Sequence, residues 1–455
     1  MKQKIIFSLI VSILETAALV HADPVTSSTN PYNLLTQPRL MGDCYGCRPI
    51  GETHGVVLSA QSTSDLFGNT TGGAATGTTY SGLMNLGLAI DLQKAVGWEG
   101  ASFKSTWLWL YGSDVSNKYV GNAFTVSNVA GNPTFRAYEL WFQQNFFHDL
   151  LSLRSGVLGL DTEFMNSDAA SFFLNSTFGV LSTFSLNVPN GGPIYPQGTP
   201  GVRLALQPTA WLTLRSAISQ ANPFSQTQNS HGFDWNFGTS GGLLSLSEVA
   251  ATWNKEADSK RLPGTAKAGL WLQEGRDSQS SSGSFNFASP NAQKFSSGYY
   301  GIIDQQLYAV PDQAQATSCA GNKNPVDPNK NPPAPACSGK GLSGFARIAF
   351  SPDARSISSL CVNAGLLYTG LIPTRDADKL GVAFGYAQVG SAYASLGSSQ
   401  GLPGVGYEAL AELSYAMQLT PAVSIQPDLQ YVLHPGGTQQ YGNALVIGVR
   451  AVVSF

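Results

Sequence analysis

The last twelve residues read ALVIGVRAVVSF, Ala444 to Phe455. Leu445, Ile447, Val449, Ala451, Val453 and Phe455 share one face of an extended chain, and Gly448, Arg450 and Ser454 share the other, because successive side chains of a strand point to opposite sides. In a soluble domain, an apolar strand of this length at the terminus leaves an adhesive edge. This one requires a neighbouring strand and an apolar solvent, as in a closed barrel within a bilayer.

The same period of two recurs upstream. Ala409, Ala411, Leu413, Tyr415, Met417 and Leu419 alternate with Glu408, Glu412, Ser414 and Gln418; a turn at Thr420–Ala422 follows, and then Val423, Ile425, Leu429 and Tyr431 alternate with Ser424, Gln426, Asp428 and Gln430. Two earlier hairpins, GVRLALQPTAWLTLRSAIS and AYELWFQQNFFHDLLSLRSGV, obey the same rule and turn near Gln207–Ala210 and His148. A β-sandwich also alternates. Three features favour a membrane barrel instead: the apolar faces carry almost no charge, aromatic residues sit at strand ends (Trp98, Trp107, Trp109, Tyr111, Trp211, Tyr431), and the chain closes on Phe455. The predicted fold class is all-β, an antiparallel transmembrane β-barrel with long outer loops and short periplasmic turns.

Composition agrees. Only 12% of residues are charged and 11% are aromatic, about half the charge of an ordinary globular domain. The net charge of −3 offers no electrostatic footprint for nucleic acid. Residues 1–22, with Lys2, Lys4, an apolar run from Ile5 to Leu14 and the Val20-His21-Ala22 pattern, read as a cleaved signal peptide. Residues 23–52 then form an N-terminal periplasmic segment, and residues 53–455 the barrel.

Five long polar stretches, 161–187, 222–242, 277–297, 312–340 and 390–404, are expected as outer-face loops, some of them folding inward. Five cysteines in an exported chain suggest disulfides rather than metal ligands. Cys319 and Cys337 bracket a Pro/Asn-rich loop and form the preferred pair; Cys44 and Cys47 form a CxxC read as a local disulfide, and Cys361 is left as a small hydrophobe.

Several ordered blocks resemble the carbohydrate-selective porins of the OprB type from Gram-negative bacteria. These are YELWFQQNFF with LSLRSGVLGLDTEFMNSDAASFFLNSTFG, NVPNGGPIYPQGTPGVRL, LPGTAKAGLWL, SGFARIAFSPDARSISSLCVNAGLLYTGLIPTRDADKLGVAFGY, YEALAELSYAMQLTPAVSIQPDLQYVLHPGG and the terminal strand. The resemblance runs from about Val56 to Phe455. It implies sixteen strands in the outer membrane and passive diffusion of glucose and related sugars, with no cofactor. Two departures stand out. Cys44, in MGDCYGCR, replaces the tryptophan of a GDWGG-type segment, and the Cys319–Cys337 loop looks like an insertion placed to cap or gate the outer mouth. Monomer and homotrimer both remain open.

A sugar channel must hold its solute weakly, so that entering and leaving both stay easy. Arginine forks and carboxylates match vicinal hydroxyls, and aromatic faces match apolar ring faces. Inward parity selects Lys104, Glu139, Arg154, Arg203, Arg215, Glu248, Lys267, Arg347, Glu412 and Arg450, with Trp141 and Trp271 on the same side. Asp161, Glu163, Phe164, Asn166 and Asp168 follow a strand and are expected to form a constriction loop; Phe164, Phe172 and Phe173 would alternatively anchor that loop to the wall. VPNGGPIYP, Val188–Pro196, reads as rim structure and HPGG, His434–Gly437, as a strand exit.

Enzymatic motifs give little support: the sequence has no HExxH and no glycine-rich phosphate loop before a helix. Two other readings stand beside the sugar channel. One is a general diffusion porin. The other is a surface scaffold or receptor barrel whose working part is the Cys319–Cys337 insertion.

Overall fold

A computed structural model describes residues 37–235, 241–255, 259, 261–275, 295–310 and 340–455. The signal-peptide reading and the Cys319–Cys337 pairing fall outside the described residues.

Sixteen antiparallel strands close on themselves, each paired with its neighbours in sequence and β1 with β16. The odd strands run away from the rim that holds the C-terminus: β1 (Val56–Gly73), β3 (Ala101–Gly112), β5 (Leu151–Leu158), β7 (Leu212–Gln220), β9 (Gly264–Glu274), β11 (Gly341–Phe350), β13 (Lys379–Val389) and β15 (Val423–Leu433). The even strands return: β2 (Gly77–Asp91), β4 (Thr134–Phe146), β6 (Thr199–Thr209), β8 (Leu243–Trp253), β10 (Phe295–Ala309), β12 (Ser358–Thr369), β14 (Tyr407–Thr420) and β16 (Gly442–Ser454). Closure gives every wall strand a partner on both sides, which a bilayer demands.

The last strand answers the edge question. Register pairs run from Gln61–Ser454 to Gly73–Gly442, and the Phe455 amide donates to Ala60 O at 2.9 Å. The N-terminal segment lies at the same rim. Leu40 N donates to Ser454 O at 2.7 Å, and Arg48, in helix α1 (Cys47–Thr53), reaches Phe455 O at 3.2 Å and Gly42 O at 3.0 Å. Cys44 and Cys47 are free thiols in this turn, not the disulfide expected from the sequence.

The terminal rim carries the brief connections 92–100, 147–150, 210–211 and 421–422, so it is the periplasmic one. The opposite rim carries L2 (113–133), L3 (159–198), L4 (221–242), 275–294 and 390–406. Four of the five expected outer loops are therefore at the outer face. The fifth is not: residues 310–340 join the lower end of β10 to the lower start of β11, where Ala309 pairs with Gly341. The Cys319–Cys337 insertion thus leaves from the periplasmic rim rather than the outer one, and its course lies outside the described residues.

Outside, the parity holds. Leu66, Leu204, Leu214, Leu270, Ile348, Leu413 and Ile447 face outward and are exposed, with Trp98 and Trp211 near the periplasmic rim and Trp109 and Tyr431 toward the other. Inside, it fails over the upper half. Phe67, Leu108, Leu110, Leu244, Leu246, Phe345, Leu410, Val432 and Val446 point inward and are buried. L2 and L3 fold into the barrel and cover these side chains, forming three apolar clusters inside the wall. A loop inside a water-filled bore needs buried apolar area to stay there, and these positions supply it.

Candidate functional site

L3 enters the barrel because its apolar residues match the inward ones of the wall. Phe164, Met165, Leu181, Phe184 and Val188 pack with Trp271, Tyr300 and Ile302, while Phe173 and Phe178 pack with Phe345. Phe164, which the sequence offered as a sugar contact, is fully buried and acts as an anchor.

Wall charges then fix the loop backbone. Glu412 accepts from Leu174 N and Asn175 N at 2.6 and 3.0 Å. Glu248 accepts from Met165 N at 3.0 Å, and Asp304 from Ser167 Oγ at 2.6 Å and Ala169 N at 3.2 Å. Lys267 donates to Asn166 O at 2.8 Å. Arg347 donates to the carbonyls of Thr177, Phe178, Gly179 and Met165. Four inward charges selected for sugar contact (Arg347, Glu248, Glu412 and Lys267) thus serve the loop.

L2 was not anticipated. It joins L3 through Asn128 N to Leu174 O at 2.7 Å and Ser176 N to Thr125 O at 2.9 Å. Glu408 holds it by Ala123 N and Phe124 N at 2.7 and 2.9 Å. Arg450 makes a fork on Asp65 at 2.8 and 2.7 Å, and this pair holds Ser127 and Asn128. Asp65 and Asp304 escaped the sequence reading, and Glu408, though placed on the polar face of its strand, was not selected; each sits at an inward parity position.

Among the described residues, a polar patch on β3 to β8 is left facing the bore. Register sets Arg154 directly opposite Arg203, a like-charge pair that is unfavourable alone. Glu163 of L3 lies between them, 3.4 Å from Arg154 and in a two-point contact with Arg203 at 2.7 and 2.8 Å. Gln143 Oε1 accepts from both arginines at 2.9 to 3.0 Å. Burial pushes the Glu163 carboxyl up, but the two guanidiniums outweigh it and hold the group down at about 2. Lys104 pairs with Glu139 at 3.3 Å, and Arg215 with Glu248 at 3.2 Å. The side chains of Arg215 and Glu163 are 25% and 22% exposed, so this is where the lining reaches water.

The tryptophans differ from expectation. The Arg154 guanidinium lies 3.7 Å above the Trp141 ring, and Trp271 packs edge-on to Phe184. Both indoles are buried, so neither offers a free face for a sugar ring. Asp161 accepts from the Tyr138 hydroxyl and from Tyr195 N at 3.1 Å, and burial raises it to about 6. Asp168 is exposed, with Lys255 3.9 Å away. Among the described residues no group of three His, Cys, Asp or Glu is placed to hold a metal.

The sequence from residue 75 to residue 455 matches the model of the carbohydrate-selective porin, OprB family. The chain belongs to this family. The porin is 24% identical over 450 residues to Porin B of Pseudomonas aeruginosa, covering 91% of each chain. Its fold is similar to the high-pH structure of Pseudomonas putida OprB, with a TM-score of 0.76 and 22% identity over 94% of this chain and 100% of the other. The low-pH structure of that protein aligns at 0.56 and 18% identity over 92% and 99%. This porin is an outer-membrane sugar channel, and family and barrel together point to a channel rather than an enzyme.

Proposed function

We propose that this porin passes neutral monosaccharides such as glucose into the periplasm by weak, saturable binding at Glu163, Arg154, Arg203 and Arg215. The supporting observation is the insertion of Glu163 between two register-opposed arginines, with Gln143 as a shared acceptor. Planar guanidinium donors beside carboxylate acceptors match the vicinal hydroxyls of a sugar. The mixed signs cancel locally, so a neutral solute meets donors and acceptors without a large net field. Because the charges are already partnered, a sugar competes for hydrogen bonds instead of filling unmet ones, which keeps binding weak.

Liposome swelling with glucose, arabinose and a charged amino acid tests this reading. Faster uptake of the two sugars is expected; equal rates for all three would make the barrel a general diffusion porin.

A further inference from the structure

Two residues beyond Glu163, L3 passes through a conformation that its sequence does not favour. Met165 has φ +60°, in the left-handed region that side-chain-bearing residues rarely adopt. It is completely buried, so no contact with water compensates. Such a residue persists only where its surroundings over-determine it.

The surroundings here are two wall charges of opposite sign. Glu248 on β8 accepts from Met165 N at 3.0 Å, and Arg347 on β11 donates to Met165 O at 3.4 Å. The peptide groups on both sides of the strained residue are therefore gripped. Arg347 also ties down Gly179 O at 3.1 Å and the Phe178 carbonyl, on the far limb of the loop. It is buried, Asp304 is the carboxylate whose charge acts on it, and its hydrogen bonds go to backbone carbonyls instead. A buried guanidinium without a hydrogen-bonded counter-ion is costly, and here all its hydrogen bonds are to the carbonyls that shape L3.

We propose that Glu248 and Arg347 are positioning residues for sugar selection: by holding Met165 in its left-handed turn, they place Glu163 against Arg154 and Arg203 and so set the aperture. The inference rests on the reading of Glu163 as part of the sugar site. Neither residue needs to touch the solute. Releasing either peptide lets Met165 relax to an ordinary conformation, which draws Glu163 away from the arginines and widens the bore.

The test uses the full-length porin in planar bilayers, recording single-channel conductance in KCl and its block by graded glucose, with the heat-modified shift in electrophoretic mobility as a measure of barrel integrity. Arg347→Met and Glu248→Ala are expected to raise conductance about twofold and to raise the half-blocking glucose concentration about tenfold, in barrels that still shift normally. Glu248→Gln keeps an oxygen acceptor for Met165 N but loses the ion pair to Arg215, and is expected to fall between the parent and Glu248→Ala. If Arg347→Met yields no folded barrel, Glu248→Ala decides. Unchanged conductance and block in folded variants would overturn the inference. A parent channel that no sugar blocks would instead sink the sugar reading, and the conductance change alone would then report on the clamp.

Discussion

Arg203 closes a fork on Glu163, Nε to Oε2 at 2.7 Å and Nη2 to Oε1 at 2.8 Å, from wall to loop. The strand register creates the need for this contact. Arg154 stands opposite Arg203 on β5 and β6, and two like charges side by side repel. The sheet thus presents a charge problem that only the infolded loop solves, which links the depth of L3 to the state of the selective patch.

Removing the carboxylate should therefore do more than delete one contact. Glu163→Ala leaves two largely buried guanidiniums facing each other, a loss on the order of 3 kcal/mol by analogy with broken buried pairs. The expected outcome is higher KCl conductance, loss of glucose block and a shift toward anion selectivity, read from the reversal potential in a salt gradient. Retained glucose block would move the binding site elsewhere.

Much of this arrangement was legible in the chain, and the limit is physical. Strand parity depends on neighbouring residues alone, so Lys104, Glu139, Trp141, Arg154, Arg203, Arg215 and Arg450 all emerge on the inner face. What each inward group touches depends on loops from elsewhere in the sequence. Arg347 and Glu412 look like pore lining until L3 is seen to claim them. Leu244, Leu246 and Leu410 sit at inward positions only because L2 and L3 cover them, and no local pattern announces that cover. The side on which the Cys319–Cys337 insertion emerges depends on strand count instead. It precedes the sixth strand from the C-terminus, and each connection that follows an even count returns to the terminal rim.

The pH response should separate two carboxyl groups that are close in sequence. Glu163 is held at about 2, below the ordinary carboxylate value of about 4.3. A depressed carboxyl contributes stability above that ordinary value and loses it only as pH falls through about 2. Asp161 is raised to about 6 by burial, so its contribution has the opposite sign: present at low pH, and lost as pH rises through about 6. Glucose block measured from pH 8 to pH 4 is expected to show a transition near 6 that Asp161→Asn removes, and none from Glu163. A transition near 6 that survives in that variant would refute the assignment.

L4 makes a separate prediction. β5 ends at Leu158, paired only as far as Leu140 on β4, so the upper edge of β4 would stand open where L3 enters. Residues 230–232 of L4 cover it: Ala137 N donates to His231 O at 3.0 Å and Thr134 Oγ1 to Ser230 O at 2.9 Å, while Phe233 packs on Trp107 outside the wall. Gly232 has φ +79°, and a Cβ there would lie 2.2 Å from Ala137 O. Gly232→Val should release this strap at a cost of about 1–3 kcal/mol. The expected readout is proteolytic nicking within 221–235 of an otherwise intact, heat-modifiable barrel; resistance equal to the parent would show that the strap tolerates the change.

The Asp65–Arg450 pair offers the cleanest double-mutant cycle. The two residues are register partners across the closing seam of β1 and β16, both are buried, and their fork is joined by Ser127 and Asn128 of L2. Asp65→Ala leaves an uncompensated buried guanidinium, and a loss of about 3–5 kcal/mol is expected. Asp65→Ala with Arg450→Met removes both charges and keeps apolar volume, so most of that loss should return, since replacing a buried pair by packed apolar groups is often near neutral. The temperature of the heat-modified mobility shift reads both. If the double variant is no more stable than Asp65→Ala alone, the single-variant loss comes from the broken L2 contacts, and the seam pair is chiefly an anchor for that loop.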